Sequence, residues 1–178
     1  PTAGEERNVE NTTILYDGAK NGEAKIKTLK GNSVVWNQLS TQPQSSFTIT
    51  AADNEKFRYI KTETTFPVGI KCFVIANYEA SENTVCSEIG IGLSNFASFH
   101  GRMKWIYFTE QKGVLSGIVE SLNSANNTIL LRAVGLTDGS ITFSNVRCIN
   151  LTKMFGAGNE PQSVEEFYQR LPKGVDIN

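Results

Sequence analysis

From residue 47 onward, apolar and polar positions trade places with a period of two, in short runs divided by turn residues, and no helical period appears until Ser163. A period of two marks a strand with one dry face. The runs predict strands at 47–50, 56–62, 69–78, 85–93, 104–109, 114–121, 128–136 and 140–151. Between them stand Asp53-Asn54, Pro67, residues 81–83, Gly101, Gly113, Asn126-Asn127 and Asp138-Gly139, residues that favour tight reversals. So many short strands at this spacing point to an all-β sandwich or barrel. A purely parallel sheet is excluded, because no crossover helices lie between the runs.

Individual runs say which faces are dry. In KCFVIANY, Phe73 and Ile75 lie opposite Cys72, Val74 and Ala76, so both faces are apolar and the strand should be central. In SEIGIGL, Ile89, Ile91 and Leu93 form one dry face, while Gly90 and Gly92 leave the other nearly bare, which makes room for a neighbouring aromatic or a bulge. TILLRAVGL and SITFSNVRCINL read as a final hairpin turning at Asp138-Gly139.

Upstream, residues 1–13 are polar and lack periodicity, so they read as a linker or arm. ILYDGAK and AKIKTLKG follow as short strand-like runs around Gly18 and Asn21-Gly22, with Lys25, Lys27 and Lys30 protecting an edge. Trp36 reads as a core anchor or a plug against the sandwich. A first residue of proline suggests an excised or processed chain, and no signal peptide is visible there.

At the other end the period changes. Ser163 and Glu166 form a capping box, and Val164, Phe167, Tyr168 and Leu171 recur as a single stripe that Pro172 ends. A helix of about two turns cannot hold alone in water, so it must dock on the larger body. Thr152 is expected to cap one turn through Met154 and Phe155, closed by Gly156, before a reversal at Gly158, Asn159 and Pro161.

The block LTKMFGAGNEP with SVEEF after it closely resembles a segment at the end of structural proteins of tailed bacteriophages and prophages, and KGNSVVWNQL at 30–39 resembles the segment opening the same region. Those proteins are mostly tail-associated or virion-associated modules. The resemblance implies a jelly-roll β-sandwich similar to the carbohydrate-binding modules appended to polysaccharide hydrolases. Carbohydrate-binding jelly rolls also resemble this chain's ending, with a long last strand beside one of the VLSGIVES kind, although a tryptophan often opens that strand where this chain has Gly113. The expected organisation is an arm at 1–13, a jelly-roll sandwich at 14–151 and a C-terminal turn and docking helix at 152–178.

Composition narrows the function more than it defines it. The chain of 178 residues is 39% hydrophobic and 20% charged, with a formal net charge of −1. That balance offers no concentrated positive field for nucleic acid or an anionic membrane. No window approaches the roughly 18 apolar residues of a membrane span. Cys72, Cys86 and Cys148 lack metal spacing; were Cys72 and Cys86 on a hairpin, register would hold them roughly 20 Å apart, so free and mostly buried thiols are expected. His100 is the lone histidine, and no catalytic or phosphate-binding motif occurs. Asp17, Asp53, Asp138 and Asp176 make no ligand run, so neither metal nor cofactor is expected.

Binding has more to work with, because sugar rings stack on aromatic faces while planar polar side chains meet their hydroxyls. In MKWIYFTE, Trp105 and Tyr107 share one face and Ile106 and Phe108 the other. The second pair carries no polar atom, so it belongs inside, leaving Trp105 and Tyr107 outward as a candidate platform. Tyr78, at a strand end beside Asn77, completes the candidate ligand-binding set. The expectation is a non-catalytic glycan-binding or adhesion module of a phage or prophage tail protein, assembled in the bacterial cytoplasm and displayed on the virion or cell exterior toward host-surface polysaccharide. Its rivals are a purely structural module meeting other virion proteins or copies of itself, and a polysaccharide-cleaving enzyme needing two carboxylates across a cleft.

Overall fold

The computed structural model of the chain describes residues 5–9, 12–20, 23–28, 33–35, 46–94, 103–122 and 126–170. Near the N-terminus, β1 (Glu5–Val9), β2 (Thr12–Lys20), β3 (Glu23–Thr28) and β4 (Ser33–Val35) pair antiparallel in that order. Residues 5–9, within the stretch read as a linker or arm, form strand β1, which is satisfied by backbone pairing to β2 and so needs no apolar period. Lys20 stands opposite Glu23, while the Asn21-Gly22 turn, Trp36 and most of the 30–39 block lie outside the described residues.

The eight strands that follow are β5 (Ser46–Thr50), β6 (Phe57–Phe66), β7 (Lys71–Ala80), β8 (Glu88–Ser94), β9 (Met103–Tyr107), β10 (Lys112–Glu120), β11 (Asn126–Val134) and β12 (Ser140–Asn150). They form two antiparallel sheets, ordered β10-β7-β12-β5 and β6-β11-β8-β9. All but β8 and β9 alternate between sheets along the chain. This interleaving of two Greek keys is the jelly-roll arrangement. Strand β7 is central, as its two apolar faces require, and Ile89, Ile91 and Leu93 are fully buried between the sheets.

Two strand pairings differ from the sequence reading. β11 and β12 do not form a hairpin: Asp138-Gly139 carries the chain from one sheet to the other, with Gly139 at φ +74°. The crossing is held by the bridge between Val85 and Asp138: the Val85 N–H donates to the Asp138 C=O at 3.0 Å, and the Thr137 N–H donates to the Val85 C=O at 2.9 Å. β12 also does not lie beside β10, because β7 separates them. β7 and β8 likewise belong to different sheets, so the segments carrying Cys72 and Cys86 do not form a hairpin. All three thiols are free; Cys72 and Cys148 are buried and Cys86 is half-buried.

A bulge in β12 keeps both its halves turned inward. Ser144 faces Asn77 and Arg147 faces Ile75, so Asn145 and Val146 together oppose Ala76. Asn145 takes φ +52°, a region asparagine tolerates better than most residues. The extra residue resets the alternation, and Phe143, Val146 and Cys148 all reach the core.

β12 runs straight into α1 (Leu151–Phe155), and α2 (Val164–Arg170) follows. Asn150, not Thr152, caps α1, its Oδ1 accepting the Lys153 N–H at 2.8 Å. Thr152 is instead a tie: its Oγ1 accepts the Lys71 N–H at 2.9 Å and donates to Glu160 Oε1 at 2.8 Å. The capping box forms at α2, with Ser163 Oγ accepting the Glu166 N–H at 3.1 Å; the returning carboxylate takes the N–H of Gln162. Phe167 is fully buried, its ring 4.5 Å from that of Phe73 on the outer face of β7. Leu171 and Pro172 lie outside the described residues. The helices thus lie as a lid on the outer face of one sheet.

Candidate functional site

The lid leaves the outer face of the other sheet to be considered. Register across β9, β8, β11 and β6 places Trp105, Gly90, Arg132 and Phe57 in one transverse row. Neighbouring strands lie about 4.8 Å apart, so the row spans roughly 14 Å from first Cα to last. The first three members face outward because their chain neighbours face inward: Ile106 packs on the core beside Trp105, Ile89 and Ile91 flank Gly90, and Leu131 and Ala133 flank Arg132.

Gly90 sets the attitude of the tryptophan. A Cβ at that position would come 2.5 Å from Trp105 Cε3 and 2.7 Å from Cζ3, so the indole lies down across bare backbone. Glycine here serves a close approach, the packing reason its place in the strand predicts. From the far side of Gly90, the Arg132 guanidinium comes 5.9 Å from the indole centroid, within cation–π range. Beyond it, Phe57 meets Tyr59 edge to face at 5.0 Å.

The rows on either side grade from wet to dry. On one side Tyr107, Glu88 and Val134 are aligned, and Tyr107 is 76% exposed. On the other, Met103, Gly92, Leu130 and Tyr59 are aligned, and Leu130 is only 1% exposed. A ligand therefore has its open approach over Trp105 from the Tyr107 side.

The structure brings two of the four expected residues together. Trp105 and Tyr107 share the outward face of β9, with Ile106 and Phe108 turned toward the core. Tyr78 is placed elsewhere: it is 6% exposed, follows Cys72, Val74 and Ala76 onto the inner face of β7, and meets Phe108 at 6.4 Å. Gly113 stands opposite it, where a Cβ would lie 2.8 Å from Tyr78 Oη. Burial, with Glu110 nearby, pushes the Tyr78 phenol above its ordinary range. Asn77 is half-buried on the outer face of the lid-bearing sheet, between Val114 and Ser144. Neither can act with Trp105. Conversely Arg132 and Phe57 were not foreseen, though Arg132 is the polar outward position in TILLRAVGL.

Elsewhere a concavity of about 190 Å³ lies between the lid and β10, walled by Lys71, Ile118, Glu120, Pro161 and Gln162, with no aromatic face among its walls. Beside it, Glu160 is 4% exposed; burial raises its pKa, but its own backbone N–H, the Thr152 hydroxyl, the Gly158 N–H at 2.8 Å and Lys71 outweigh this and hold the carboxyl below the usual glutamate value. Among the described residues, no cluster of His, Cys, Asp or Glu is arranged to hold a metal ion, and no helix is long and apolar enough to cross a membrane. His100 lies outside the described residues.

No protein-family model matches the chain, and a search of curated proteins gives no match. Solved structures do match. An arabinose-bound GH51 α-L-arabinofuranosidase superposes with a TM-score of 0.44 at 10% identity, over 83% of this chain and 23% of that one. BiXyn10A CBM1 in its apo form gives 0.37 at 12% identity, over 84% and 99%. A family 29 carbohydrate-binding module gives 0.33 at 13% identity, over 78% and 72%. The chain thus spans less than a quarter of the glycosidase chain.

Proposed function

We propose that this chain is a non-catalytic glycan-binding module of a phage or prophage tail-associated protein, displayed on the virion exterior toward host-surface polysaccharide, with Trp105 as its platform. One observation carries the binding reading: an indole laid across a glycine on an outward sheet face, with a guanidinium beside it and an exposed phenol in the next row. This combination offers a sugar both a flat apolar surface for its C–H face and planar donors for its hydroxyls. The viral setting rests on the likeness of LTKMFGAGNEP, SVEEF and KGNSVVWNQL to segments of tail proteins. Titration against a glycan array and purified cell-wall polysaccharide tests the reading. Binding that Trp105→Ala abolishes is expected; indifference to every sugar, or an unaltered Trp105→Ala variant, would overturn it.

A purely structural role is favoured by a different observation, the exposure of Tyr107 and of Val85, 76% and 56%. Light scattering separates the two readings: a stable oligomer that protects Tyr107 supports assembly over sugar.

A further inference from the structure

Resting on that reading, we propose that the Trp105 site selects acidic glycans, those carrying uronic or other carboxylated sugars, and that Arg132 is the residue that selects them. Three observations carry this. The guanidinium stands in the same transverse row as the indole, separated from it only by Gly90, with its carbon 5.9 Å from the ring centroid. A sugar ring stacked on Trp105 therefore presents an edge substituent to Arg132.

Guanidinium geometry matches a carboxylate better than it matches a single hydroxyl, since its planar fork donates two parallel N–H groups to two oxygens. One arginine carries five N–H donors in a fixed fork, enough to serve more than one partner. The fork sits on a rigid strand between Phe57 and Gly90 rather than on a loop, which limits the freedom lost on binding.

A second charge in the neighbouring row gives the ligand a direction. Glu88 lies one row away, opposite Tyr107 and Val134. A carboxylated sugar entering over Tyr107 is thus turned so that its carboxylate points away from Glu88 and toward Arg132. A neutral sugar feels neither force.

The test compares one oligosaccharide in two forms, an oligogalacturonate and the same chain after reduction of its carboxyl groups to neutral galactose, each titrated into the full chain. The acidic form is expected to bind about tenfold more tightly, the scale of a charge-assisted hydrogen-bonded pair, and to lose that advantage as salt rises. Arg132→Gln should erase the preference, the two forms then binding alike and both more weakly than to the wild type, Arg132→Lys should keep a weakened preference, and Glu88→Gln should strengthen the acidic form alone. Circular dichroism identifies any variant that fails to fold, and the Glu88→Gln arm does not depend on Arg132 variants folding. Equal binding of the two forms overturns the selectivity while leaving the platform intact. Failure of the wild-type chain to bind either form overturns the platform itself and the selectivity with it.

Discussion

Replacing Phe167 by alanine separates a docked lid from an incidental tail. The side chain is fully buried, packed 4.5 Å from Phe73 and 6.4 Å from Phe155 by ring centroids. Truncating a buried phenylalanine costs about 3–5 kcal/mol in a well-packed site. A helix of seven residues has no stability of its own to set against that loss. Undocking offers the chain a way to limit the damage, so the cost should appear first as local opening and only then as global destabilisation. If about 3 kcal/mol is felt globally, a domain of this size should melt roughly 6–12 °C lower. Limited proteolysis and thermal unfolding measure the two effects together. The Phe167→Ala chain should be cut between residues 156 and 170 at protease levels that spare the wild type, leaving a core ending near α1. An α2 that stays protected, with an unchanged melting temperature, would refute the docking argument.

Glu160→Gln should destabilise the lid by about 1–3 kcal/mol near neutral pH, because a buried carboxylate accepting two hydrogen bonds is replaced by a group that can accept through only one oxygen. Since the folded-state pKa is lowered, the wild-type advantage is present above the unfolded glutamate value and lost as pH falls through the folded one, so the two melting curves should converge in acid. Gly113→Ala must force its Cβ against the buried Tyr78 hydroxyl, 2.8 Å away, and should cost about 1–3 kcal/mol in denaturant titration; an unperturbed midpoint would mean that Tyr78 is not held there. Gly90→Ala should lift the Trp105 ring and weaken glycan binding severalfold while the chain still folds, as circular dichroism and titration would show; unchanged affinity would mean that the ring's attitude does not matter.

Much of the fold was legible in local pattern, and the failures share a cause. Alternation located the eight sandwich strands because each has one face that must be dry, and Phe73 with Val74 marked β7 as central because both its faces are covered. What alternation does not encode is the partner of a strand. Asp138-Gly139 reads as a hairpin because glycine at positive φ reverses a chain, yet the Val85 bridge turns the same residues into a crossing between sheets. Register is equally silent in one dimension: Arg132 and Phe57 join Trp105 only when four strands are aligned. Tyr78 is another matter, since its parity with Cys72, Val74 and Ala76 already turned it inward, and its place at a strand end argued too strongly against that. At the lid, Asn150 took the cap two residues before the expected Thr152, because the Thr152 hydroxyl is engaged with Lys71 and Glu160 across the chain.

Two-dimensional NMR of the labelled chain during addition of an oligosaccharide would locate the ligand residue by residue. The Trp105 indole N–H and the amides of Gly90, Arg132 and Tyr107 should shift together along one binding curve. Shifts confined to Asn77, Ser144 and the lid-bearing sheet, or none at saturating sugar, would contradict the account.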